Sequence, residues 1–327
     1  MKYIIYCHNS DPDGYSSGFL LAWALGKKLI TDKDFDEILI RPINYGWHIN
    51  YNEIEPNDFV YMVDISLPER DMQYILDTVG DENFIWIDHH NLAIKNYAKL
   101  FDKNLKLRNP NVAAAQLTYN YVKANIIDSD ETNKVYADMV FNMEEFFNLV
   151  AIYDVYDKSD LKKWHEEVIP FNFALKALDL NFSTDTGKIF WKNMIKKAKT
   201  PEDMNEFLQQ LIFDGELVYQ FSAKENMELV RSYGFPVELE GFKLFAVNRG
   251  LGGSFVFDSK DLTDFDAVMC FVFKGKSNYW SCSIYTDKKD VDLTTIFKKY
   301  SGGGHKNAGN FRCKTLSFDN GKVLITQ

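Results

Sequence analysis

The sequence predicts an α/β protein in which a doubly wound, mostly parallel sheet is joined by helices to a smaller α/β C-terminal domain. Three observations carry that expectation. The first third of the chain alternates short apolar runs with helical patterns, the rhythm of strand–helix–strand units. Helical periodicity then dominates as far as Tyr233, and after Gly234 the character returns to short strands. At 327 residues, two domains of ordinary size are expected.

Each element has its own signal. Residues 3–8, 38–43, 59–65 and 84–88 are β-branched or aromatic runs, short enough for buried parallel strands. Helices are expected over 16–29 after the first strand and 68–79 after the third. Apolar residues at helical spacing extend the pattern over 112–125 and 132–153, where Met139, Val140, Met143, Phe146, Phe147 and Val150 recur, and then over 171–178 and 189–198. Thr200-Pro201-Glu202-Asp203 supplies an N-cap, a proline at the first helical position and acids in the first turn. The helix it starts should run to Tyr233, with Asp214-Gly215 as a candidate break and Gly234-Phe235-Pro236 as its end. Strands are expected over 242–248, 268–274 and 280–285, and a helix over 293–300. The expected division is a catalytic domain over 1–199, a helical connector over 200–233 and a second domain over 234–327.

Composition narrows the function. Hydrophobic residues make up 46% and charged residues 26%, which suits a packed core and not disorder. A net charge of −10 argues against a broad basic face for long duplexes, whose affinity rests on Lys and Arg neutralising phosphates. A small anionic substrate held by metal ions remains compatible with that charge. Cys7, Cys270, Cys282 and Cys313 show no C-x-x-C spacing, so a reduced cytoplasm is the expected setting. The sequence starts in a strand-like run without a signal-like segment and holds no run of eighteen apolar residues, so no membrane partner is expected.

The chemistry gathers where the parallel strands should end. His8, Asp11 and Asp13 follow the first strand in "CHNSDPDG", Asp64 follows the third in "VYMVDIS", and Asp88-His89-His90 close the fourth in "FIWIDHH". In open α/β sheets the strand C-terminal ends form the ligand crevice, so these clusters should converge. Carboxylates and imidazoles crowded there would repel and desolvate badly without a cation. Mixed imidazole and carboxylate ligands favour manganese, iron or zinc over calcium or magnesium alone. More than four ligands suggests two ions sharing a carboxylate, roughly 3.5–4 Å apart, an arrangement used on phosphate esters.

Taken singly, each piece has a plainer explanation. Asp13-Gly14 is a turn, Asp64 is a helix cap before Leu67-Pro68, and His89-His90 are one core and one surface histidine. Jointly the balance reverses, because four of the six histidines (His8, His89, His90 and His305) fall in such contexts while His48 and His165 do not. Asp154 in "NLVAIYDVYDK" stands at a helix C-terminus, against the helix dipole, and metal ligation and turn formation explain it equally. "YSGGGHKNAGNF" sets three glycines before His305, a loop whose amides can approach an anion.

These motifs, in this order, resemble the DHH phosphoesterase superfamily, named for the tripeptide that Asp88-His89-His90 forms. "SGGGHKNAG" is similar to the signature of the DHH-associated C-terminal domain. The branch most resembled is that of oligoribonucleases and phosphoadenosine-phosphatases. The resemblance implies two manganese ions, with magnesium or another divalent ion as substitutes, in a site between two domains. It implies that His8, Asp11 and Asp64 hold one ion and that Asp13, Asp64, His89 and Asp154 hold the other. Asp88 would orient His89, and His90 would face the substrate. Gly303, Gly304 and His305 would bind the far end of the substrate. Many nucleotide-cleaving members carry an arginine where this chain has Tyr285, so the phosphate clamp is either missing or supplied by Arg249 or Lys306, and Tyr285 could instead stack on a base. The implied partner is a short oligonucleotide or small nucleotide, and the sequence is compatible with a homodimer without fixing the oligomeric state. The implied activity is hydrolysis of a phosphodiester or phosphomonoester, a nuclease chemistry. The alternatives are an inorganic pyrophosphatase or polyphosphatase and a non-catalytic nucleotide-binding module.

Overall fold

Four parallel strands open the chain: β1 (Tyr3–His8), β2 (Ile38–Ile43), β3 (Phe59–Val63) and β4 (Phe84–Ile87), in the sheet order β2-β1-β3-β4. The computed structural model describes residues 1–28, 38–100, 105–126, 134–250, 253–258, 260–304 and 306–326. His305, and positions 29 and 132–133 of two expected helices, lie outside them. Two compact units emerge, Met1–Tyr219 and Gln220–Gln327.

In the first unit, the central strands β1 and β3 are buried almost throughout, as a parallel sheet covered on both faces requires. Helix α1 (Pro12–Lys28) packs against β1, and α2 (Glu69–Val79) packs against β3 and β4. Met72, Ile75 and Val79 recur at helical spacing on α2 and join Ile4, Tyr6, Val60, Met62 and Trp86 in one core. Each such side chain contributes about 1.5–3 kcal/mol on burial. The strand register fixes the site. Cys7 lies beside Val63, and Val63 beside Ile87, so His8, Asp64 and Asp88 leave the sheet at one edge.

Helix α1 begins at Pro12, four residues earlier than expected. Asp11 accepts the amide of Gly14 at 3.1 Å as the cap, and proline takes the first helical position, where no donor is missed. Gly14, which taken singly with Asp13 reads as a turn, is part of the first helical turn. A Cβ there would overlap the His8 carbonyl, so glycine lets the helix start directly against the end of β1.

The helical layer follows as α3 (Asn91–Asn96), α4 (Ala114–Asn125), α5 (Lys134–Asn142) and α6 (Glu144–Asp154). The helix expected over 132–153 is two: the first ends by Met143, and Glu144 and Glu145 start the second, where the dipole favours acids. Next come α7 (Leu161–Lys163), a π-helical turn (Trp164–Val168), α8 (Ile169–Ala177) and α9 (Asp185–Lys197). Helix α10 (Pro201–Tyr233) is unbroken at Asp214-Gly215. Gly215 is there for packing, since a Cβ would overlap the Pro170 carbonyl of α8. The division between the units falls inside α10. Among the described residues, no helix is long and apolar enough to cross a membrane.

The second unit is built on eight strands: β5 (Phe235–Leu239), β6 (Phe242–Asn248), β7 (Ala267–Lys274), β8 (Tyr279–Tyr285), β9 (Gly303–Gly304), β10 (Ala308–Cys313), β11 (Thr315–Asp319) and β12 (Lys322–Thr326). Helix α11 (Thr294–Lys299) lies between β8 and β9. The sheet order is β11-β12-β5-β6-β7-β8-β10-β9, mostly antiparallel, with β6–β7 and β12–β5 parallel. Leu244, Met269, Phe271, Ile284, Phe297 and Phe311 form its core. The glycines expected as a loop instead pair as strand β9, Gly303 with Asn310 and Gly304 with Gly309.

Candidate metal centre

At the shared sheet edge each group is placed by its element. His8 ends β1, and its Nδ1 lies 3.1 Å from Asp11 Oδ2 and 3.3 Å from Asp64 Oδ2. The two residues between His8 and Asp11 therefore bring the carboxylate back onto the ring. Asp13, in the first turn of α1, is buried and accepts the amides of Ala114 at 3.0 Å and Ala115 at 2.6 Å, the first two of α4. Those amides would otherwise lack intrahelical partners, and the dipole end favours a carboxylate. Asp64 follows β3 in the left-handed region (φ +58), which turns the chain sharply while its amide still bonds to the Ile87 carbonyl. A non-glycine residue so placed at a candidate site stores strain of functional interest.

Asp88 is fully buried and heavily used. Its Oδ1 accepts the amides of His89 (2.7 Å) and His90 (3.1 Å) and lies 2.7 Å from His90 Nδ1. Its Oδ2 accepts from the Trp86 indole at 3.2 Å. The expectation that Asp88 orients the His89 ring is corrected: the ring it holds is that of His90, while His89 meets it through the backbone alone. The reason is geometric, since successive side chains diverge after the strand and only His90 folds back over Asp88. His89 Nε2 points the other way, 3.3 Å from Asp64 Oδ1, 3.2 Å from Asp154 Oδ2 and 3.7 Å from Asp13 Oδ2. Asp154, the last residue of α6, completes the cluster.

One imidazole nitrogen cannot satisfy three carboxylates. Asp64 Oδ1 and Asp154 Oδ2 are buried with no hydrogen-bond partner. Burial, with the charges of Asp11 and Asp154, pushes the Asp64 carboxyl up to about 8, against the pull of His8. Burial likewise raises Asp13, reinforced by Asp64, and raises Asp154 against the pull of His89. Burial alone would lower His8, but the Asp11 and Asp64 carboxylates push it up to about 10. The same contact, with the Gly14 amide, holds Asp11 below the ordinary value despite its burial. His90 is raised by Asp88 against desolvation.

This donor set fits divalent cations. Ligand atoms lie within 4.8 Å of one another in three overlapping groups: His8, Asp11 and Asp64; Asp13, His89 and Asp154; and Asp64, His89 and His90. Asp64 belongs to two of them, and one of its own oxygens and one of Asp154 are orphaned without a cation.

The remaining expected site residues lie in the second unit. Tyr285 ends β8, opposite Ala308, and packs at the edge of a cluster with Phe245, Val268 and Cys270. Gly304 sits one strand further out, and Arg249 follows β6, its amide bonded to the Phe271 carbonyl.

Sequence reasoning passed over two residues. Tyr45, on the turn after β2, has its ring 5.5 Å from that of His8 and 6.1 Å from that of His90. Lys176, near the end of α8, donates to the Tyr153 hydroxyl at 2.9 Å, and burial lowers its amine while Asp11 pulls it upward. The strand-end rule that found the aspartates applies equally to the turn after β2 and was the signal available for Tyr45.

No family model and no curated protein matches the sequence. Among solved structures, the chain is similar to the pGpG-specific phosphodiesterase PggH from Vibrio cholerae, with 14% identity and a TM-score of 0.51 over 95% of this chain and 93% of that one. It is also similar to the DHH domain of a member of the s1p family of ribosomal proteins, with 13% identity and a TM-score of 0.55 over 99% of this chain and 83% of that one. At these identities the likeness is one of fold.

Proposed function

We propose, from the premise that this chain has the fold of the DHH superfamily, that it is a divalent-metal-dependent phosphohydrolase of short oligonucleotides or small nucleotides. The observation that carries this reading is the convergence of Asp64 and Asp154 oxygens, buried and unbonded, with three histidines on one sheet edge. In this reading His8, Asp11 and Asp64 hold one ion, and Asp13, Asp64, His89 and Asp154 hold the other, with manganese the preferred metal. Ions held there supply Lewis-acid stabilisation of a phosphoryl group and a hydrolytic nucleophile at neutral pH.

The chain's own residues do the rest. Asp88 fixes the proton on His90 Nδ1 and stabilises the imidazolium, leaving Nε2 to donate a proton to the departing oxygen. Asp13 is held rigid by two helix amides, and Asp64 by its backbone bond to β4, so the carboxylates are positioned before substrate arrives. Gly303, Gly304, His305, Arg249 and Tyr285 are proposed to contact the far end of the substrate. Tyr285 is half-buried against its cluster, so only part of it is open to that role. The pGpG-specific activity of the similar Vibrio protein supports a short nucleotide substrate, and four buried free thiols support a cytoplasmic setting.

The test is a product assay with manganese or magnesium on a dinucleotide, a cyclic dinucleotide, phosphoadenosine phosphate and pyrophosphate. Metal-dependent cleavage of a nucleotide, absent in Asp64→Ala and His90→Ala, is the expected result. Cleavage of pyrophosphate alone would overturn the nucleotide assignment, and no cleavage of any ester would overturn the enzyme reading.

A further inference from the structure

The turn after β2 carries two large aromatic residues that no core claims. Tyr45 and Trp47 are 52% and 53% exposed. The turn is nevertheless firmly held. The Trp47 amide donates to the Asn44 carbonyl at 3.1 Å, the Tyr45 amide to the Asn44 side chain at 2.7 Å, and Asn44 in turn reaches the Ser10 hydroxyl at 2.6 Å. A backbone bond from Asn9 to the Ile43 carbonyl, 3.0 Å, ties the same turn to the loop that carries Asp11. Tyr45 is thus fixed relative to the metal centre while much of its ring stays open.

Its geometry relative to the site is specific. The Tyr45 ring meets the His8 and His90 rings edge-on, at interplanar angles of 65° and 83°, and those two imidazoles are themselves 6.4 Å apart. A phosphoryl group between His8 and His90 would have Tyr45 within the span of one nucleoside. Inorganic pyrophosphate offers nothing to such a ring, whereas every nucleobase has a π-face, and stacking on an aromatic side chain is tolerant of base identity.

We propose that Tyr45 is a positioning residue that stacks on the base adjoining the scissile phosphate, so the substrate class is a nucleoside phosphate ester with its base next to the bond broken. This rests on the phosphohydrolase reading and deepens it. Stacking needs the ring alone, so phenylalanine, which keeps the ring, should retain it. Trp47, two residues on, extends the aromatic rim of the same turn.

The test is calorimetric binding to the manganese-loaded protein, which does not depend on turnover. Two probes are compared: the phosphonate analogue of adenosine monophosphate, whose P–C bond resists hydrolysis, and the matching ribose phosphonate without a base. In Tyr45→Ala the adenosine probe should bind about 5- to 150-fold more weakly, while the ribose probe and both probes on Tyr45→Phe change by less than about twofold. Equal weakening of both probes would mean that Tyr45 merely props the histidines, and no change for either would mean that the base lies elsewhere. Either result overturns the proposal. Hydrolysis assayed in parallel separates the two readings. Turnover by the wild type with unaltered nucleotide binding in Tyr45→Ala keeps the phosphohydrolase and loses the stacking role, whereas absent turnover by the wild type loses the former and leaves the binding difference to decide the latter.

Discussion

Replacing Asp64 by asparagine should stabilise the metal-free protein and, in the same variant, abolish its response to metal. Asp64 is 1% exposed, and burial together with Asp11 and Asp154 pushes its carboxyl up to about 8. About three pH units separate an ordinary aspartate from neutrality, and at about 1.36 kcal/mol per unit the buried charge costs the fold up to about 4 kcal/mol at pH 7. Asparagine keeps the shape and tolerates the left-handed backbone (φ +58) as well as aspartate does. It forfeits the charge-assisted contact with His8, which leaves a net gain of about 1–3 kcal/mol. Because the folded value lies above the unfolded one, the penalty is absent below about pH 4, grows as pH rises and is complete near 8. Calorimetry in the presence of chelator should therefore show equal Tm values near pH 4. At pH 7 the Asp64→Asn transition should lie several degrees higher, at about 2–4 °C per kcal/mol for a unit of this size. Manganese at a hundred times its dissociation constant should add about 2.7 kcal/mol to the wild type and nothing to the variant. A variant less stable than wild type at pH 7 in chelator, or one that keeps the manganese shift, would refute the charge argument.

Other consequences are open to direct measurement. His90→Gln should lower kcat by about 10²–10⁴-fold with manganese binding little changed, measured by steady-state kinetics beside a metal titration. Asp88→Asn should cost about 10–100-fold in kcat, and with the raised His90 no longer supported, the alkaline limb of the pH–rate profile should move to lower pH. Gly215→Ala should destabilise the first unit by about 1–3 kcal/mol in denaturant melts without altering metal affinity, because its Cβ would overlap the Pro170 carbonyl far from the sheet edge.

Much of the site could be read from the chain because strands and their ends leave strong local signals. β-branched runs marked all four parallel strands, and the acids and histidines beyond them were conspicuous once strand ends were known to share a crevice. The start of α1 was misjudged because Asp11-Pro12 reads as a loop, although a capping acid followed by proline is also a helix start. Met143 hid the break between α5 and α6, since an apolar residue at helical spacing continues the period even where the helix restarts. Several strands of the second unit went unseen for the opposite reason: β11 is nowhere fully buried and alternates exposed with half-buried residues, so its apolar signal is weak. Gly215 and Tyr45 depend on what lies across from them, a helix backbone in one case and a pair of imidazoles in the other. The pairing of Asp88 with His90 instead of His89 is a matter of side-chain direction, which spacing alone does not carry.

The ligand residues are only half of what specifies the centre; the apolar residues before them are the other half. Cys7, Val63 and Ile87 occupy one level of the sheet, so the positions after them emerge together. A slip of one residue in the β1–β3 pairing would move Asp64 about 3.3 Å along the strand and exchange the two buried faces of the strand. Metal–ligand distances are held to within about 0.2 Å, so that slip would destroy the centre even with every ligand present. What opposes it is the shape of the packing: Ile4, Tyr6, Val60 and Met62 fill one face with α2, and a slip would set the differently sized Ile5, Cys7, Tyr61 and Val63 of the other buried face in their place. The four carboxylates repel one another and cannot assemble the site themselves. The hydrophobic core brings them together against that repulsion, and a cation bound among them, as proposed, would release the strain the core imposes.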